Sequence, residues 1–143
     1  MSKLPYVLLV DDDRTTNYLN QLLIKRLDVA ETIGVAANGR EALTHLQAYC
    51  HDDTGQCPVL ILLDLNMPVM NGFEFLHHYH QYLWPSEHKA VVVILTTSLH
   101  PQDMERVQAL HVAGVLSKPL TTEKLQRLLK EHFPTVKLAH QAE

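Results

Sequence analysis

Four short stretches of the chain each end an apolar run on a polar residue able to do chemistry: VLLVDDD at 7–13, VLILLDLNMP at 59–68, VVVILTTS at 91–98 and VLSKP at 115–119. In order they deliver the acids Asp11 and Asp12, the acid Asp64, the hydroxyl of Thr96 and the ammonium of Lys118. Carboxylates, a hydroxyl and a lysine together make a set suited to holding Mg²⁺ and a phosphoryl group. The ion prefers near-octahedral oxygen ligands and keeps several waters, so it needs few protein groups.

The apolar runs explain how residues so far apart in sequence could meet. Stretches of aliphatic residues rich in Val, Ile and Leu, without polar alternation, read as strands covered on both faces, which means a parallel sheet under helices. The carboxyl ends of such strands share one edge, where ligands bind near the switch in strand order. Asp11, Asp12, Asp64, Thr96 and Lys118 are therefore expected in one pocket.

With 143 residues, 46% of them hydrophobic, the chain fits a single domain over 1–143, with a core at about 5–133 and a loose tail at 134–143. A net charge of −4 without a basic run speaks against nucleic acid as a partner. No apolar stretch has the length of a membrane span, and MSKLPYVLLVDDD lacks the apolar core and cleavage site of a signal peptide, so a cytoplasmic location is expected. Cys50 and Cys57 flank HDDTGQ at a spacing compatible with a small disulfide. Without a secretory signal two reduced structural thiols are expected instead, and no role is assigned to them. His77, His78 and His80 lack the i, i+4 pairing that chelates well on a helix and read as a solvated helix face.

Periodicity places the remaining elements. A strand at 6–10 precedes a helix over roughly 14–27, marked by Leu19, Leu22, Leu23 and Leu27, and ETIGVA at 31–36 is a weaker strand. Asn38 stands three residues before Glu41, and Asn71 three before Glu74, each an Asn form of a capping box that opens a helix. The second of these helices carries Phe73, Leu76, Tyr79 and Leu83 and is expected to stop near Trp84 and Pro85. A strand at 90–95, a helix opened by Pro101 with Met104, Val107 and Leu110, and a strand at 113–116 follow. The last helix runs from a Thr121 cap through Leu125, Leu128 and Leu129 to about Phe133. Five β/α units with right-handed crossovers give an α/β, doubly wound sheet, with one elaborated loop at 48–58.

From about Pro5 to Phe133 the chain resembles a response-regulator receiver domain of two-component signalling, of the chemotaxis-type, stand-alone kind. The resemblance is carried by the acids after the first strand, Ala37-Asn38-Gly39 with Glu41-Ala42-Leu43, Asp64-Leu65-Asn66-Met67-Pro68 with Asn71-Gly72, Thr96, and Lys118-Pro119. It implies a flavodoxin-like five-stranded parallel sheet of order 2-1-3-4-5 with five helices. It also implies that Asp64 is the phosphoacceptor, charged by a sensor histidine kinase or a histidine phosphotransfer protein. Asp12, Asp64 and the backbone carbonyl of Asn66 would then hold Mg²⁺, for which Mn²⁺ could substitute, with Asp11 acting through a water. Lys118 would neutralise phosphoryl charge, and Thr96 would donate its hydroxyl once Asp64 is modified, biasing a loop between two states.

Such a chain is a switch rather than a metabolic enzyme, assisting only its own phosphotransfer and dephosphorylation. Where many receivers have an aromatic, three residues before the lysine, this chain has Val115, which cannot report by moving a ring. Asn66 and Ser98 would border the attacking water and influence the phosphoryl lifetime. The chain ends after its fifth helix, so output is expected to pass through a downstream protein, with the chain a monomer or weak homodimer. The TTS at 96–98 and the loop before the third strand are similar to stand-alone receivers paired with phytochrome-like kinases.

Two other readings compete. VLLVDDDRTT also resembles the first motif of haloacid-dehalogenase-type phosphatases, with Asp11 as nucleophile, Asp13 as acid/base, and Thr96 and Lys118 on phosphate. That family needs an acidic pair after the lysine, and here only the isolated Glu123, Glu131 and Glu143 follow. The third reading is an interaction module that is never phosphorylated, against which the retained, mutually repelling acids argue. Asp13 itself reads as a helix cap, and Thr97 and Ser98 as turn or cap residues.

Overall fold

In the computed structural model, residues 3–50, 57–65, 67, 69–81, 90–97, 101–109 and 112–136 are described, the side chains of Tyr49 and Asp103 excepted. Strands and helices alternate as β1 (Leu4–Val10), α1 (Arg14–Leu27), β2 (Ala30–Ala36), α2 (Gly39–Tyr49), β3 (Leu60–Leu63), α3 (Gly72–Gln81), β4 (Val91–Thr96), α4 (Pro101–Ala109), β5 (Gly114–Ser117) and α5 (Thr122–His132). The strands form one parallel sheet of order β2-β1-β3-β4-β5. This is the expected flavodoxin-like order, in which the direction of winding switches between β1 and β3.

Alternate residues of the central strands feed two apolar layers. Leu8, Val10, Ile61, Leu63 and Ile94 pack with Ala42 and Leu46 of α2, Phe75, Leu76 and Tyr79 of α3 and Val107 of α4. Val7, Leu9, Leu60, Leu62, Val93 and Leu95 pack with Leu23, Ile24 and Leu27 of α1 and Leu125, Leu128 and Leu129 of α5. Both faces of β1, β3 and β4 are thus sealed, and their carboxyl ends are left as the accessible edge.

The helix starts follow the local chemistry. Asn38 accepts from the Glu41 amide at 2.9 Å while the Glu41 carboxylate accepts from the Ala37 amide. Asn71 and Glu74 form a reciprocal pair at 2.9 and 3.1 Å. Thr121 caps α5 through the Lys124 amide, and His77, His78 and His80 are exposed on α3, as expected.

Several expectations are corrected. Strand β1 begins at Leu4 rather than residue 6, because the Leu4 amide bonds to the Val29 carbonyl and joins the ladder beside β2. On α1 the leucine pattern is rotated: Leu19 and Leu22 are exposed, and Asn17 and Asn20 take their place in the buried stripe with Leu23, Ile24 and Leu27. Positions 17, 20, 24 and 27 lie on one helical face, whereas 19 and 22 point roughly 120° and 180° away from its centre. Cys50 and Cys57 are not reduced thiols but form a disulfide. Cys50 ends α2 as its cap, and the return toward β3 brings the two Cα atoms to 4.7 Å, within bridging range, which a compartment argument alone does not reveal. Residues 51–56, Leu83, Trp84, Pro85 and Leu110 lie outside the described residues.

Candidate functional site

The acids sit where β1 and β3 run out. Asp11 and Asp64 follow these strands directly, and their amides still belong to the ladder, donating to the Ala36 and Val10 carbonyls at 3.1 and 2.9 Å. Both residues are buried, at 5% and 6% exposure, while Asp12 is open to solvent. One carboxylate oxygen from each of Asp11, Asp12 and Asp64 lies within 4.8 Å of the others. Three oxygen donors at that spacing, with one side open to water, suit a hard divalent cation.

Lys118, just past β5, reaches into the same place. Its Nζ is 2.6 Å from Asp11 Oδ2 and 3.4 Å from Asp64 Oδ1. Burial works against the lysine's charge, but the hydrogen bond to Asp11 and the charges of Asp64 and Asp11 outweigh it, so its pKa lies above the usual value. The Asp64 pKa is also raised, which for a carboxylate disfavours the charged form. Burial first, and then repulsion from Asp11, raise its pKa despite the opposing pull of Lys118. One ammonium does not neutralise the cluster, and a cation beside these acids would relieve the remaining repulsion.

Thr96 stands at the same edge of the sheet, as the last residue of β4 rather than the first of the loop. It is fully buried, and its hydroxyl has no hydrogen-bond partner among the described residues. Its carbonyl accepts from the Lys118 amide at 2.8 Å, so β4 and the lysine loop are held together there. A buried hydroxyl without a partner is a donor in reserve for an incoming acceptor.

Asp13 does not join the acids. It caps α1, accepting from the Thr15 amide at 3.0 Å and the Thr16 hydroxyl at 2.8 Å, and the Thr16 bond leads the causes that lower its pKa. Asn66 and Ser98 lie outside the described residues. Two contributors escape a reading for reactive residue types. Asn17 of α1 donates its side-chain amide to the Asp11 carbonyl at 2.8 Å, and Lys124 of α5 bonds to the loop that carries Lys118. A polar residue in the apolar stripe of α1 was the one available sign of the first.

Comparison with known proteins agrees with this geometry. The family profile described as response regulator receiver domain matches residues 7–130. The probable methanogenesis regulatory protein FilR2 of Methanothrix harundinacea is 34% identical over 127 residues, spanning 87% of this chain and 79% of that protein. The response regulator Rcp1 of Synechocystis is 31% identical over 124 residues, spanning 87% and 83%. The crystal structure of a two-component response regulator from Cytophaga hutchinsonii superposes with a TM-score of 0.79 at 34% identity, covering 90% of this chain and 96% of that one. The chain belongs to the response-regulator receiver domain family, the phosphorylation-activated receivers of two-component signalling.

Proposed function

We propose that Asp64 is the phosphoacceptor, charged by a sensor histidine kinase or a histidine phosphotransfer protein, and that the modified chain signals through contacts with a downstream protein. The observation that carries this reading is the Lys118 ammonium set between the Asp11 and Asp64 carboxylates, at the sheet edge that also carries Thr96, whose buried hydroxyl has no hydrogen-bond partner among the described residues. An Asp64 carboxylate oxygen attacks phosphorus, the bond from phosphorus to the donor imidazole nitrogen breaks, and its electron pair stays on that nitrogen. Protein groups contribute alignment and charge neutralisation more than covalent chemistry. Lys118 would follow the charge from carboxylate to acyl phosphate, and the Thr96 hydroxyl would donate to a phosphoryl oxygen.

Asp12, Asp64 and the Asn66 carbonyl would hold Mg²⁺, with Asp11 acting through a water. The ion would supply charge neutralisation at the phosphoryl oxygens. We place the chain in the cytoplasm, as a single receiver domain that is not a metabolic enzyme. Among the described residues no helix is long and apolar enough to cross a membrane. The phosphatase reading is disfavoured because Asp13, its required acid/base, is engaged in capping α1.

The test is incubation with Mg²⁺ and acetyl phosphate followed by intact mass. Wild type is expected to gain one phosphoryl group that Asp64→Ala does not. An adduct that persists in Asp64→Ala but is lost in Asp11→Ala would establish the phosphatase chemistry instead.

A further inference from the structure

We infer that Lys124 is a positioning residue for Lys118, clamping the loop so that the Lys118 ammonium reaches both carboxylates. The inference rests on the receiver reading above.

Lys124 stands in the first turn of α5, three residues after the Thr121 cap. A cation is poorly placed there, because the amino end of a helix carries the positive pole of its dipole. The side chain turns back out of the helix instead. Its Nζ donates to the Ser117 carbonyl at 2.7 Å, the Ser117 hydroxyl at 3.1 Å and the Pro119 carbonyl at 3.1 Å. Those carbonyls stand on either side of Lys118. An ammonium has three protons to donate, and here they meet three acceptors in the loop.

The Lys118 backbone is thereby held from two directions, by its own amide on the Thr96 carbonyl and by Lys124 on its flanking carbonyls. That hold matters because Ser117 and Pro119 are exposed and β5 ends at Ser117, so between Leu116 and Leu120, which pack on the core, the loop is held by its hydrogen bonds. Lys118 is a long side chain that gains entropy by leaving the pocket. With its backbone fixed, the Nζ lies 2.6 Å from Asp11 and 3.4 Å from Asp64. Lys124 touches neither carboxylate and acts only through Lys118.

The experiment compares wild type with Lys124→Met, Lys124→Arg and Asn38→Ala, the last removing the α2 cap and so lowering stability away from Lys118. Phosphorylation of Asp64 by acetyl phosphate is followed at saturating Mg²⁺, and Mg²⁺ affinity is measured separately. In Lys124→Met the rate is expected to fall about tenfold, since a displacement of about 1 Å in a reacting group can cost roughly a hundredfold. Mg²⁺ affinity should stay unchanged, Lys124→Arg should recover most of the rate, and Asn38→Ala should keep it. Hydrogen exchange of the Lys118 amide gives a readout that needs no phosphorylation, with protection lost in Lys124→Met and kept in Lys124→Arg. Wild-type rate and protection in Lys124→Met would overturn the inference, as would an equal loss of rate and Mg²⁺ affinity. If wild type takes no phosphoryl group, the receiver reading fails, and amide exchange alone then decides whether the clamp exists.

Discussion

A Cβ on Gly72 would lie 2.6 Å from the carbonyl oxygen of Asp64, so the first turn of α3 rests directly on the backbone of the proposed phosphoacceptor. The same substituent would stand 2.9 Å from Leu65 Cα, and the Gly72 amide donates to the Leu65 carbonyl at 2.9 Å. Both obstacles are backbone atoms next to β3, and no rotamer change removes them. Gly72→Ala is therefore expected to destabilise the fold by about 2 kcal/mol. Helix propensity alone would give a gain of up to about 1 kcal/mol. Urea unfolding checks the sign, and a variant as stable as wild type would disprove the contact.

Lys118→Met leaves the buried Asp11 and Asp64 carboxylates facing one another without their cation. Breaking a buried pair from one side costs on the order of 3 kcal/mol. The loss should be smaller in millimolar Mg²⁺ than in chelator, because a divalent ion at these acids replaces part of the missing charge. Thermal denaturation with and without Mg²⁺ measures the difference. An identical loss in both conditions would argue against metal binding at these acids.

Asn17→Leu removes the donor to the Asp11 carbonyl together with a buried side-chain oxygen that has no hydrogen-bond partner among the described residues. The two effects oppose each other, so stability should change by no more than about 1 kcal/mol. The loop holding Asp11 and Asp12 loses its tether, and Mg²⁺ affinity should drop roughly tenfold, as for other partners that orient metal ligands. Calorimetric titration with Mg²⁺ tests this. Unchanged affinity would make Asn17 a packing residue only.

His45, on α2, is hydrogen-bonded to the Tyr6 hydroxyl, and burial lowers its pKa from the usual 6.5. The unfolded chain takes up a proton as pH falls through 6.5, while the folded chain resists it. Stability from this residue is therefore full above that pH and is lost as pH falls toward the depressed folded value. His45→Gln should remove this component, so that wild type loses more stability than the variant between about pH 7.5 and pH 5.5. Parallel pH profiles would show that His45 does not contribute.

Much of the molecule is legible without coordinates. The runs at 7–10, 60–63 and 91–95 are strands because uninterrupted aliphatic residues have no polar face to turn to water, and they lie within β1, β3 and β4. Asn38, Asn71 and Thr121 mark helix starts because their side chains bond amides three residues away. Once parallel strands are granted, Asp11, Asp64, Thr96 and Lys118 must share an edge, as they do. Each inference uses interactions within a few residues or a general rule about sheets.

Other features depend on how finished elements are set against one another. The buried face of α1 is a case in point, since Leu19 and Leu22 fit the helical period as well as Asn17 and Asn20 do. Only docking onto β1, where Asn17 meets the Asp11 carbonyl, selects the face. The Cys50–Cys57 bridge required the end of α2 and the approach to β3 to come together, and the Lys124 clamp required α5 to start beneath the Lys118 loop. Element order, caps and the reactive residues follow from local chemistry and hydrophobic period. Helix rotation, the disulfide and the groups that position Asp11 and Lys118 follow from packing, because a period fixes spacing along a helix but not the angle at which that helix meets the sheet.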